Sequence, residues 1–285
     1  MFHPHIRLVS QLGFIQKRKA PARLPIWIFV ALSILAFVSS NRAGAQQTPL
    51  RIAAAADLQP LLPPILDQFQ KTTGLHAEAT YQASAALTAQ IINGAPFDLF
   101  LSADLSYPQR LIDAAVAAGV GAGLDARSPI VYGHGTLVLW TRKDSHWPNP
   151  SLATLNDPAL KRLAIANPER APYGRAAIAA LTSLKLIDTL KPKFATAENI
   201  SQAAQFAETG NADAGLISLT SAKTEHLASI GSYFVIPSDL YPPIEQGAVI
   251  VTKTTQRDNA RKFLDFLLSP EIQHQLAKGG LTPVK

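Results

Sequence analysis

From residue 50 onward the chain alternates between short apolar runs bounded by polar turns and longer stretches with helical spacing. Residues 50–56 (LRIAAAA) predict a buried strand. A helical stretch follows and stops at Thr73-Gly74, with Gly74 at the helix end. Residues 75–81 predict a second strand, and 84–93 a helix with Ser84 at its N-cap and Gly94 past its end. Residues 97–101 (FDLFL) predict a third strand and 107–118 another helix. Strand–helix–strand–helix–strand at these lengths predicts parallel pairing and an α/β fold class.

The later half repeats the style. Strands are expected at 135–140 (GTLVLW), 163–166, 214–218 and 247–252 (GAVIVT). Helices are expected at 173–186, with Pro172 near the start, and at 200–209, with Asn199 as cap and Gly210 after it. Two more are expected at 257–268 and 270–278. The segments around Gly133-His134-Gly135 and Tyr241-Pro242-Pro243 are candidate crossings between two α/β lobes. This divides the chain into a first lobe of residues 46–133 plus 243–285 and a second of 134–242, with a ligand cleft between them.

Charge changes the picture only at the N-terminus. The chain carries 26 Lys+Arg against 20 Asp+Glu, a net +6 that by itself suggests a polyanion partner. Residues 1–45 hold Arg7, Lys17, Arg18, Lys19, Arg23 and Arg42 and no acid. The remainder is therefore balanced, and no nucleic-acid partner is expected. Residues 26–38 (IWIFVALSILAFV) are apolar but shorter than the roughly 20 residues that span a bilayer. A basic segment before them and Ala43-Gly44-Ala45 after them predict a secretory signal peptide over 1–45, cleaved after Ala45. An uncleaved anchor helix is the alternative. The chain has no cysteine, which excludes disulfides, thiolate metal sites and a cysteine-linked lipid.

Catalytic motifs are missing. The seven histidines (His3, His5, His76, His134, His146, His226 and His274) show no metal-pair spacing, and there is no nucleophile elbow or nucleotide-binding glycine pattern. Gly119-Val120-Gly121-Ala122-Gly123 does not follow a strand and reads as a loop. Asp98 and Asp104, flanking a strand end, read as caps or solvated groups. No catalytic residue, direct metal ligand or cofactor is expected. What the chain does have is helix starts that follow strands, at Asp57, Ser84, Pro172-Tyr173 and Asn199-Ile200. Each leaves backbone N–H groups unpaired and carries roughly half a positive charge. Each alone is only a helix start; several converging on one cleft would bind an oxyanion without Lys or Arg.

The segments AAAADL (53–58), QASAALTAQIINGAPFDLFLSAD (82–104), LAIANPERAPYGRAA (163–177), ENISQAAQFAETGNADAGLIS (198–218) and FLDFLLSPEIQ (263–273) follow one another in an order that resembles the periplasmic molybdate-binding proteins of ABC importers. The resemblance implies a two-lobed type II periplasmic-binding-protein fold. It implies a monomeric receptor that captures molybdate or tungstate, holds molybdenum only through its oxygens, and delivers the anion to a membrane permease. Its site residues fall on Asp57 with Leu58 beside it, on Ser84, on the N–H groups of Tyr173 and Ile200, and on Ser218, where some members carry a tyrosine.

Two of these positions depart from the family pattern. An ionised Asp57 would repel a dianion, so its carboxylate is expected to cap its own helix start and leave N–H groups for the ligand. The alternative is a protonated Asp57 that donates its O–H. Ser218 is too short for the reach of a tyrosine hydroxyl. Pro63 and Pro64 predict a short turn before the first helix proper. A different small anion (phosphate, phosphonate or an organic acid) stays open, because a carboxylate can accept a proton that donor-only sites reject. A secreted hydrolase is the third reading, for which Ser84 has no evident histidine partner.

Overall fold

The structure, a computed structural model, describes residues 48–118 and 128–284. The expected signal peptide and the Gly119–Gly123 stretch lie outside the described residues. Among the described residues, no helix is long and apolar enough to cross a membrane.

Eleven strands form two sheets among these residues. The first sheet contains β1 (Leu50–Ala55), β2 (Ala77–Gln82), β3 (Leu99–Ser102), β4 (Ala117–Ala118), β5 (Ile130–Gly135) and β11 (Ile244–Val251). Its order is β2-β1-β3-β11-β4, with β5 also paired to β11. The second sheet contains β6 (Leu137–Arg142), β7 (Leu163–Ala166), β8 (Phe194–Ala197), β9 (Ala214–Ser218) and β10 (Gly231–Val235), in the order β10-β6-β9-β7-β8. The chain passes from one sheet to the other at Thr136 and back over residues 236–243.

The first three strands pair in parallel as expected, and the sheets as a whole are mixed. β1 runs parallel to β2 and β3, and β7 runs parallel to β8 and β9. β11 runs antiparallel to β3, β4 and β5, and β6 runs antiparallel to β9 and β10. Parallel pairing needs a crossover element such as a helix. β6 and β11 instead enter their sheets directly from the other sheet.

The helices that position the site are α1 (Leu62–Thr73), α2 (Ser84–Ile92), α3 (Ser106–Asp113), α4 (Pro172–Ser183), α5 (Ile200–Glu208) and α6 (Leu219–Ala222); α7 (Arg257–Leu267) and α8 (Pro270–Lys278) close the chain. A single 3-10 turn, Ala56–Leu58, precedes α1, and Pro63 falls in the first turn of α1, where its missing N–H is not needed. The stretch expected as one helix over 107–118 divides into α3 and the short β4.

β1 shows why the first sheet holds. Leu50, Ile52 and Ala54 face one side, packed with Phe69 of α1 and Phe263 of α7. Ala53 faces the other, with Leu87, Phe100 and Val249. Burial on both faces explains a strand with no polar alternation. Phe69 and Phe263 meet edge-on, centroids 5.1 Å apart. The second sheet has its own core around Leu139, Trp140, Ile165 and Leu216. Asp98 is a buried staple rather than a solvated cap. It accepts from the Arg51 backbone N–H at 2.8 Å and from the Thr254 hydroxyl at 2.7 Å.

Candidate functional site

The C-terminal ends of β1, β2 and β3 open onto one cavity of about 10 Å³, the place where ligands sit in open α/β sheets. From the first sheet it is lined by Ala55 at the end of β1 with Ala56 and Asp57, by Gln82 at the end of β2 with Ala83 and Ser84, and by Ala103 after β3. From the second sheet come Ala171, Pro172 and Tyr173 at the start of α4 and Asn199 with Ile200 at the start of α5. No lysine, arginine or histidine lines it among the described residues. Three helix N-termini and a 3-10 turn therefore present their free N–H groups and partial positive charge to one small space.

Local structure leaves these donors free. The Asn199 side chain accepts from the Gln202 N–H at 3.0 Å, which caps α5 and leaves its first N–H groups, Ile200 among them, for other partners. Ser84 is the first residue of α2 rather than its cap; Ala83 holds the cap position. Its Oγ accepts from the Ala103 N–H at 3.1 Å, so its one proton remains to be donated into the cavity. Gly174 lets α4 start this close, because a Cβ there would collide with the Ala166 carbonyl of β7.

The cleft is closed by contacts between its two sides. Ser201 Oγ donates to the Ala56 carbonyl at 2.8 Å, and Thr220 Oγ1 to the Asp57 carbonyl at 2.8 Å. The Ala85 N–H donates to the Arg170 carbonyl at 3.2 Å. At the rim, Arg175 of α4 pairs with Asp104, donates to the Tyr107 hydroxyl and lies over the Tyr107 ring.

Asp57 departs from expectation. Its carboxylate does not cap the 3-10 turn. Oδ2 accepts instead from the Tyr173 hydroxyl at 3.0 Å and from the Gln246 side-chain amide, while Oδ1 has no partner. The reason is geometric: fixed donors from α4 and β11 reach the carboxylate as the two sides close on a turn of only three residues. The residue is fully buried, and desolvation pushes its pKa up to about 6; the side-chain bonds from Gln246 and Tyr173 pull the other way. The Tyr173 hydroxyl is held well above its usual range by burial and then by the Asp57 charge, so it stays a donor. Gly135 makes this reach possible, since a Cβ there would overlap the Tyr173 ring end.

Of the six expected site residues, Asp57, Ser84, Tyr173 and Ile200 come together on the cavity wall. Leu58 and Ser218 do not. Leu58 packs into the core of the first sheet. Ser218 caps α6, accepting from the Ser221 N–H at 3.2 Å within a hydroxyl cluster with Thr220 and Ser221. A short side chain at a helix start satisfies its own helix first. Gln246 and Thr220, which hold Asp57, were not expected. Gln246 carried a signal: a polar residue beside the apolar run of β11, buried completely.

A profile of the bacterial extracellular solute-binding protein family matches residues 50–282. The molybdate-binding protein ModA of Azotobacter vinelandii is 37% identical, over 80% of this chain and 87% of its own length. That of Rhodobacter capsulatus is 35% identical, over 74% and 79%. Among solved structures, the periplasmic molybdate-binding protein of Azotobacter vinelandii superposes with a TM-score of 0.76 at 29% identity, covering 83% of this chain and all of that one. The sulfate-binding protein SubI of Mycobacterium tuberculosis shares the fold, with a TM-score of 0.69 at 18% identity. Sheet topology, the cavity between the two sheets and these matches agree: the chain belongs to the bacterial extracellular solute-binding protein family.

Proposed function

We propose that this protein captures molybdate or tungstate outside the cytoplasmic membrane and hands it to the permease of an ABC importer. The observation that carries the reading is a small cavity walled by helix N-termini and the Ser84 hydroxyl, with no cationic side chain among the described residues. Neutral donors bind a tetraoxo dianion through its oxygens and let it go when the cleft opens. The kinship with molybdate-binding proteins supports the choice of anion.

In this reading the Ser84 hydroxyl and the N–H groups of Asp57, Tyr173 and Ile200 hold the oxygens. The lobes comprise 46–133 plus 243–285 and 134–242, and they part about the crossings at Thr136 and 236–243. A tetraoxo anion is larger than the single water-sized group that about 10 Å³ admits, so the cleft must widen to hold it. Residues 1–45 act as a cleaved export signal, and the receptor works as a monomer. The N-terminal sequence of the exported protein tests the cleavage after Ala45.

One observation favours a second reading. Oδ1 of an ionised Asp57, buried and unpartnered, is an acceptor that could hold the proton of hydrogen phosphate. Titration calorimetry with molybdate, tungstate and phosphate separates the two readings. Saturable one-to-one heat with molybdate or tungstate supports the first; tighter binding of phosphate overturns it.

A further inference from the structure

The inference rests on the oxyanion reading above and concerns what Asp57 does there. Asp57 is the one acidic side chain on the cavity wall and is completely buried. Among the described residues its surroundings offer no countercharge. Tyr173 from α4, Tyr132 from β5 and Gln246 from β11 face it, with Thr220 from α6 on its backbone carbonyl. Both tyrosine hydroxyls are held well above their usual range, by burial first and then by the Asp57 charge, so neither becomes a second anion. Arg175, the nearest cation named at the rim, is taken by Asp104 and Tyr107. Oδ2 already has two donors, whereas Oδ1 is buried with none. An ionised carboxylate would set like charges against each other in a desolvated space. A carboxylic acid would turn the orphaned Oδ1 into an O–H donor and make the wall donor-only.

We propose that the oxyanion and one proton bind together: solvent protonates Asp57 at Oδ1 as the cleft closes, and the new O–H donates to a ligand oxygen. The carboxylate gains a proton, the anion stays fully ionised, and opening returns both to solvent. Asp57 is thus a specificity-determining residue. Once neutral, its Oδ1 faces the ligand as a donor rather than as a charged acceptor for the proton of hydrogen phosphate. In the ligand-free protein its pKa of about 6 leaves it mostly ionised at pH 7.5, so the proton is taken up on binding.

The test is calorimetry of the purified protein with sodium molybdate at pH 7.5, in two buffers of very different ionisation enthalpy. The difference in heat counts protons. Close to one proton per molybdate is expected. Between pH 7 and 8.5 the affinity should fall about tenfold per pH unit, the slope for one linked proton. Asp57→Asn, neutral at every pH, should show no uptake and a flat profile. Molybdate binding without proton uptake overturns the proposal and leaves the transport reading intact. No molybdate heat at all defeats the transport reading instead. Uptake that persists in Asp57→Asn assigns the proton to another group and also overturns the proposal. If the variant does not fold, the wild-type proton count decides.

Discussion

Replacing Ser84 with alanine separates what its hydroxyl does for the ligand from what it does for the fold. Oγ accepts from the Ala103 N–H at 3.1 Å and has one proton to give to the anion. A hydrogen bond to a charged partner contributes about 1.5–3 kcal/mol, so Ser84→Ala should weaken molybdate binding by roughly 10- to 150-fold. The same change strips a buried N–H of its acceptor, because Ala103 is only 2% exposed. That loss is present with and without ligand, so it shows as stability rather than affinity. It costs about 1–3 kcal/mol, and at this size each kcal/mol lowers the melting temperature by about 2–4 °C. Calorimetry reads the first effect and thermal unfolding of the ligand-free protein the second. Affinity within twofold of wild type would remove Ser84 from the site. Unchanged melting together with weakened binding would refute the Ala103 contact instead.

Three further outcomes follow from the same geometry. The Asp57 carboxyl titrates at about 6 when folded and near 3.8 when exposed, so its stabilising contribution is complete below about pH 3.8 and lost as pH rises through 6. Asp57→Asn should therefore gain stability over wild type with rising pH, by on the order of 3 kcal/mol at pH 7.5; urea unfolding at pH 4.5 and 7.5 checks the sign. Gly135→Ala pushes a methyl into Tyr173 and Ile244 and should lower stability by about 1–3 kcal/mol in urea, while an unchanged midpoint would show that Tyr173 moves aside freely. Arg175→Ala removes a rim ion pair whose arginine is 42% exposed, so binding should weaken by no more than about fivefold. A hundredfold loss would make that pair a principal latch.

Some elements were legible in the sequence and others were not, for physical reasons. Strands buried on both faces, such as β1 and β9, announce themselves as unbroken apolar runs, and α1 carries its buried Leu62, Ile65, Leu66 and Phe69 at helical spacing. β5 (IVYGHG), β8 (FATA) and β10 (GSYFV) did not, because glycine or brevity erases a two-residue period. β11 was expected as the strand at 247–252, but its antiparallel direction was not readable, because it is set by the crossing from the second sheet. At the site, backbone donors were readable from strand-to-helix order, since a helix start needs no particular side chain to offer its N–H groups. Side-chain partners were not: Asp57 meets Tyr173 across 116 positions and Gln246 across 189. The same limit misplaced Ser218, whose hydroxyl serves the helix it begins.

The most direct test of the transport reading is titration of the purified protein with molybdate, tungstate and phosphate at one pH. Saturable binding of one molybdate or tungstate per chain, with phosphate weaker, is the predicted result. Absence of both heat and thermal stabilisation with molybdate and tungstate, or a preference for phosphate, would contradict it.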